Sequence, residues 1–156
     1  MVKKKALIII GTVVIILLSI FMVQFFTEAS AASKVQIRIA DIRLTDIGLT
    51  SCDLVVTVNL TNPTNQKLDI RFARFDVFVA GSYVGNSNVS ELSLPRISSR
   101  EKIIPLTLLY SDIAWAVLQG IRNRNFDLIV RGDVEARVFY GLWIVTVPFS
   151  ISSTYS

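Results

Sequence analysis

Two pairs of carboxylates come nearest to a chemical constellation in this 156-residue sequence. Asp41 and Asp46 border a turn, and Asp133 and Glu135 share one strand face. Two carboxylates on one face can ligate calcium or divide acid and base work between them. Neither pair has a further ligand or a glycine-rich loop beside it. The other acids downstream of Lys34 are scattered between Asp53 and Asp127, so a solvated face is expected rather than a site. The chain has no histidine, which removes the commonest general base and the commonest metal ligand. Cys52 is the only cysteine, so neither a disulfide framework nor a thiolate metal site is available. Beside a strand run it reads as a small buried hydrophobe. No catalytic residue, metal or cofactor is expected, and the chain is not expected to be an enzyme.

Other short motifs carry less chemistry. Asn59-Leu60-Thr61 and Asn88-Val89-Ser90 have the form of glycosylation acceptors, while Asn62-Pro63-Thr64 is excluded by its proline. Asn88 is expected in a loop and is the better acceptor. Asn59 is placed at a strand end, where its side chain would bond backbone around the Asn62-Pro63 turn. Arg131-Gly132-Asp133 spells an adhesion tripeptide, but it lies inside a strand pattern, where glycine marks a bulge or a close backbone approach. From residue 34 onward there are 13 Lys and Arg against 11 Asp and Glu, a balance of +2 without a basic stripe, so no nucleic-acid partner is expected. Ten of those 13 cations are arginine, which hints at a surface of ion pairs.

The elements that would position these residues are mostly strands. Lys34 to Thr45 alternates with period two, as a half-buried strand does. Leu54 to Leu60 is a compact β-branched run ended by Asn62-Pro63, a pair that starts turns because proline fixes its own φ and restricts its predecessor. Leu68 to Ala80 changes phase between Phe72 and Phe75, which predicts a bulge near Ala73. Gly81-Ser82 closes a hairpin into Tyr83, a short strand runs from Val89 to Leu94, and Pro105 marks Lys102–Leu109 as an edge or bulged strand. Ser111-Asp112 reads as the cap of one short helix through Leu118. Phe126–Val138 and Leu142–Ile151 close the chain around a Tyr140-Gly141 turn. About seven strands with regular turns and one helix predict an all-β antiparallel sandwich. Trp115 and Trp143 are expected in its core, with Trp115 as the alternative contact surface because its helix is apolar nearly all round.

Ahead of this domain, Ala6 to Phe26 is an uncharged run of 21 residues. At about 1.5 Å per helical residue, about 20 residues span a hydrocarbon core of about 30 Å. Lys3, Lys4 and Lys5 precede the run, and basic flanks stay on the cytoplasmic side. The expected organisation is a basic tail, membrane helix and short linker over residues 1–33, with the sandwich over residues 34–156 outside the cell membrane. The lipid bilayer is thus the partner of residues 6–26. Two rivals exist. Ala29-Ser30-Ala31 fits a signal-peptidase site, although the apolar run exceeds a typical signal h-region. Lys5-Ala6-Leu7 is similar to the processing site of archaeal pilin precursors, which would leave the apolar helix as the polymerisation element of a surface filament.

Asn59-x-x-Asn62-Pro63, Leu68-x-Ile70, Phe75-x-Val77-x-Val79-x-Gly81-x-x-Val84-Gly85, Pro95-x-x-Ser98, Ile104-Pro105-Leu106, Val130-x-Gly132-x-Val134 and Val147-Pro148-Phe149 form a pattern over residues 35–150. It resembles the folded late embryogenesis abundant domain, also called the water-stress-and-hypersensitive-response (WHy) domain, in a membrane-anchored version. The resemblance implies a fibronectin-III-like sandwich and a non-catalytic role in desiccation or heat tolerance, acting on client proteins or envelope components. It supplies no catalytic residues. The alternative is the pilin-like structural subunit.

Overall fold

The computed structural model describes residues 2–156, with side chains from Ile9 onward. The Lys3–Lys5 flank, Ala6 and the Lys5-Ala6-Leu7 tripeptide lie, in their side chains, outside the described residues. Helix α1 runs from Val2 to Ser33, and its Ile9–Ser33 portion of 25 residues is long and apolar enough to cross a membrane. The helix does not stop at Phe26. The segment expected as a linker continues it, because Ala29, Ala31 and Ala32 are strong helix formers. The hydroxyls of Thr27 and Ser33 turn back onto the carbonyls of Gln24 and Ser30, each at 2.8 Å, so they do not compete with the helix.

Seven antiparallel strands follow: β1 Gln36–Thr45, β2 Ser51–Asn62, β3 Leu68–Val79, β4 Ser82–Leu94, β5 Ser98–Leu109, then helix α2 Trp115–Arg122, then β6 Phe126–Val138 and β7 Trp143–Tyr155. They form a three-stranded sheet in the order β1-β2-β5 and a four-stranded sheet in the order β4-β3-β6-β7. This is the antiparallel sandwich anticipated from the strand pattern, in the fibronectin-III-like form that the family resemblance implies. The two segments expected as separate strands around Tyr83 and Val89 are one strand, β4. Pro105 lies on β5, an edge strand, as expected for a proline within a sheet.

The phase change in β3 is real and slightly earlier than expected. Register against β6 shifts between Ile70 and Phe72, so Leu68 and Ile70 point inward before the shift and Ala73, Phe75, Val77 and Val79 after it. A second shift, against β4, lies between Val77 and Phe78. The β3–β4 turn falls on Ala80 and Gly81, both with positive φ (47° and 79°), one residue earlier than the predicted Gly81-Ser82. Paired positive φ angles match the strand twist of a two-residue hairpin.

The inward faces of β2, β3, β5 and β6 fill the core, with Leu54, Leu60, Phe75, Ile104 and Leu128 essentially solvent-free. Phe75 meets Phe149 across the four-stranded sheet at 5.6 Å between ring centroids. Gly132, opposite both Phe75 and Phe149, does not interrupt β6. It is a close-approach glycine: an added Cβ would fall 1.8 Å from the Arg74 carbonyl oxygen. The adhesion tripeptide is therefore paired on both sides in the middle of a sheet, with Arg131 lying over the Phe78 ring at 5.3 Å.

The last turns of α1 are docked onto the sandwich. Phe21, Gln24, Phe25, Glu28 and Ala31–Ala32 recur every three or four residues and so share one helix face. Ala31 and Ala32 are 3% and 1% exposed and join the core. Higher up, this face meets the β6–β7 turn. Phe139 packs edge-on against Phe21 (5.4 Å) and Phe25 (6.4 Å), and Trp143 packs against Phe25 (6.1 Å). The Gln24 amide donates to the Tyr140 hydroxyl at 3.1 Å, and the Glu28 carboxylate accepts the Phe139 N–H. Trp143 is therefore not core: it is 60% exposed, against α1 rather than between the sheets.

Candidate functional site

Strand β6 runs from α2 to the α1 contact, so the sandwich has two chemically different ends. The end away from α1 carries the β1–β2 turn, the β3–β4 turn and the β5–α2–β6 connection, tied together by Tyr110 N–H to Thr50 O and Ala80 N–H to Asp127 O, each 2.9 Å. Helix α2 does not begin at Ser111-Asp112. The Ser111 hydroxyl bonds the Asp112 carboxylate instead, at 2.8 Å, and the helix is entered through Ala114 in extended conformation with no side-chain cap. Val117, Gly120 and Ile121 face inward. Gly120 lets the helix sit close on the next strand, because a Cβ there would come 2.9 Å from that of Phe126. Arg122 in the last turn complements the helix dipole.

The outward side sets exposed apolar residues beside the exposed Arg122. Trp115, the first residue of α2, is 68% exposed, so it is an external ring rather than a core one. Leu49 on the β1–β2 turn is 99% exposed, and Ile47 and Leu109 at the same end are about half exposed. Single exposed apolar residues are ordinary, but here four lie at the same end of the sandwich.

Cys52 lies beneath this end, 1% exposed. Burial pushes its thiol pKa up, opposed by the Tyr110 hydroxyl and aided by Asp53, and burial together with Cys52 raises Tyr110 in turn. A thiol held protonated is a poor nucleophile. Both folded-state pKa values are raised above their unfolded values, so this pair contributes stability below the ordinary thiol range that is lost as pH rises through it. The expected result is a melting temperature that falls on alkaline titration, with the fall reduced in Cys52→Ala, and Cys52 that reacts with a thiol reagent only after denaturation.

The carboxylates are not assembled. Among the described residues no three His, Cys, Asp or Glu side chains come together to hold a metal. Asp41 pairs with Arg43, and Glu135 pairs with Arg71 at 3.6 Å. Glu91–Arg137 and Lys67–Asp69 are further ion pairs, all on the surface, where each contributes about 0–1 kcal/mol.

Asparagine roles are redistributed. Asn59 is inside β2, paired with Arg38 and Glu101, and its Oδ1 is buried without a partner. Asn62 is the residue that ties the turns. It is solvent-free, donates to the carbonyls of Gln66 (2.7 Å), Pro95 (2.9 Å) and Leu94 (3.3 Å), and accepts from the Thr64 N–H (3.0 Å) and hydroxyl (2.7 Å). Pro63 follows it, exposed, at the start of the turn. Asn88 is exposed, but on edge strand β4 rather than in a loop.

No protein-family model and no curated protein matches the chain. Solved structures do. An Arabidopsis thaliana protein superposes with a TM-score of 0.60 at 18% identity, covering 80% of this chain and 82% of that one. The likeness is one of fold. A candidate late embryogenesis abundant (LEA) protein aligns over 92% of this chain and 86% of its own, at 15% identity and a TM-score of 0.50. A β-glucuronidase of glycoside hydrolase family 2 matches over 12% of its length with a TM-score of 0.45. The sandwich fold is thus shared with structures of very different sequence.

Proposed function

We propose that this chain is a membrane-anchored, non-catalytic WHy-type protective protein. Residues 34–156 form its protective domain outside the membrane, and the apolar end around Trp115 contacts partner proteins or envelope components under desiccation or heat. The observation that carries the reading is the exposure of Trp115 on a helix whose opposite face is buried. A large ring left in water at the end farthest from the apolar helix is what a contact surface requires. The stress-related role is supported by the LEA assignment of a structure with the same fold, and the outward orientation by the Lys3–Lys5 flank.

The test is suppression of heat-induced aggregation of a labile client protein by the full chain in liposomes. Wild type is expected to suppress aggregation. Trp115→Ser is expected to lose most of that effect while its unfolding free energy changes by no more than about 0.5 kcal/mol, because the side chain is exposed. A wild-type chain that protects neither client nor liposome ends the protective reading. A Trp115→Ser variant as protective as wild type moves the contact elsewhere.

A further inference from the structure

The other end of the sandwich carries its own exposed apolar cluster, one that Trp115 and the proposed client contact leave unused. At the β6–β7 turn, Tyr140 is 78%, Leu142 73% and Trp143 60% exposed, and Ile144 beside them is 45% exposed. Phe139, Tyr140 and Gly141 all have positive φ (53°, 56° and 80°). Two bulky aromatic residues thus occupy backbone that glycine would occupy more easily. The tip faces α1 across a cleft of about 350 Å³ lined by Leu18, Phe21, Met22, Phe25, Phe139 and Trp143. Behind it lies a polar notch in which Lys67 and Arg137 stand with Glu28 and Asp69.

The level of this tip along α1 says what covers it. With Lys5 held at the cytoplasmic headgroups, a hydrocarbon core of about 30 Å ends about 20 helical residues later, near Phe25. The tip touches Phe21 and Phe25. It therefore reaches the boundary of the hydrocarbon and about one helical turn below it, and a span that began later in the chain would place it deeper. Trp and Tyr rings favour this level, where the apolar body meets acyl chain and the N–H or O–H meets headgroup. Lys67 and Arg137, ion-paired with Asp69 and Glu91, stand one step above at headgroup level.

We propose that the β6–β7 turn, Phe139–Ile144, is a second membrane contact: it inserts beside α1 into the outer interface of the bilayer that α1 spans. This rests on the anchored reading above. The occupant of the cleft is lipid, with acyl chain against Phe21, Met22 and Trp143. The sandwich then stands on two feet, one helical and one a strand turn.

The experiment uses the full chain in phosphatidylcholine–phosphatidylglycerol vesicles containing lipids brominated either high or low on the acyl chain. In Trp115→Phe the only tryptophan is Trp143. A reference protein, Ile16→Trp with Trp115→Phe and Trp143→Phe, reports on the helix. The expected result is that Trp143 emission is blue-shifted and mostly lost with the high-brominated lipid, less with the low one, and is shielded from aqueous iodide. The Ile16→Trp signal is expected to be lost with the low-brominated lipid. Quenching at residue 16 with Trp143 unquenched and iodide-accessible overturns the second contact and leaves the anchor standing. No quenching at either position overturns both.

Discussion

Gly132→Ala is expected to be among the most damaging single substitutions in the sandwich. The added methyl would meet the Arg74 carbonyl oxygen at 1.8 Å and its carbon at 2.8 Å, and the Phe149 ring at 3.1 Å. The first two are backbone atoms of the central strand β3, which cannot step aside as a side-chain end can. β3 and β6 must separate, and the Phe75–Phe149 contact that spans them is strained with them. Overpacking of a close core costs about 1–3 kcal/mol, and a backbone clash in a strand paired on both sides belongs at or beyond the upper end. Urea unfolding of the membrane-reconstituted chain, followed by near-ultraviolet circular dichroism, measures it. Gly81→Ala provides the contrast: nothing lies within 4 Å of its Cβ, so its cost arises only from its φ of 79°. A Gly132→Ala protein as stable as Gly81→Ala would mean the two strands lie farther apart than described.

Asn62→Ala is expected to cost about 2–4 kcal/mol, because it removes one buried and several part-buried hydrogen bonds at once. The Asn62 side chain is the node through which the β2–β3 turn holds the β4–β5 turn, with three carbonyls and two donors of Thr64 on it. Its loss leaves the Leu94, Pro95 and Gln66 carbonyls without that donor, the Leu94 one where it is buried. Asn59→Ala, three residues earlier, is expected to change stability little, since its Oδ1 has no partner to lose. Equal effects of the two substitutions in parallel unfolding curves would remove the assignment of the turn to Asn62. This pair separates two asparagines that fit the same sequence pattern.

Those two asparagines show where the sequence could be read and where it could not. Strand existence was visible in period-two alternation, and even the shift in β3 could be read, because a bulge changes the parity of every later side chain from Ala73 onward. An antiparallel sandwich of about seven strands followed from the number and spacing of those runs, whereas their division into three and four did not. What depends on residues far apart in the chain was hidden. Ring size argued for burial of Trp115 and Trp143, but Trp143 finds its neighbour in Phe25 of α1, and no local pattern couples them. The helix end was misplaced because hydropathy drops at Thr27 and Glu28, whereas backbone propensity does not. Glu28 itself is drawn from solvent by the Phe139 N–H, a partner at the far end of the chain. The Asn59 and Asn62 roles were exchanged because spacing identifies a turn, not which amide points into it.

Only Lys34 and Val35 separate the end of α1 from the first residue of β1, and the final turns of α1 are locked into the sandwich base. That continuity removes the hinge a tether would provide. For a chain standing in a bilayer, it fixes the stand-off height of the Trp115 end, at about 40 Å for strands of 13 residues rising about 3.3 Å each. Neighbouring copies would then present their Trp115 ends in one common plane. A partner would be met by lateral diffusion at that altitude, with the entropy of orientation already spent when the chain folded, and a large partner could be gripped by several copies at once.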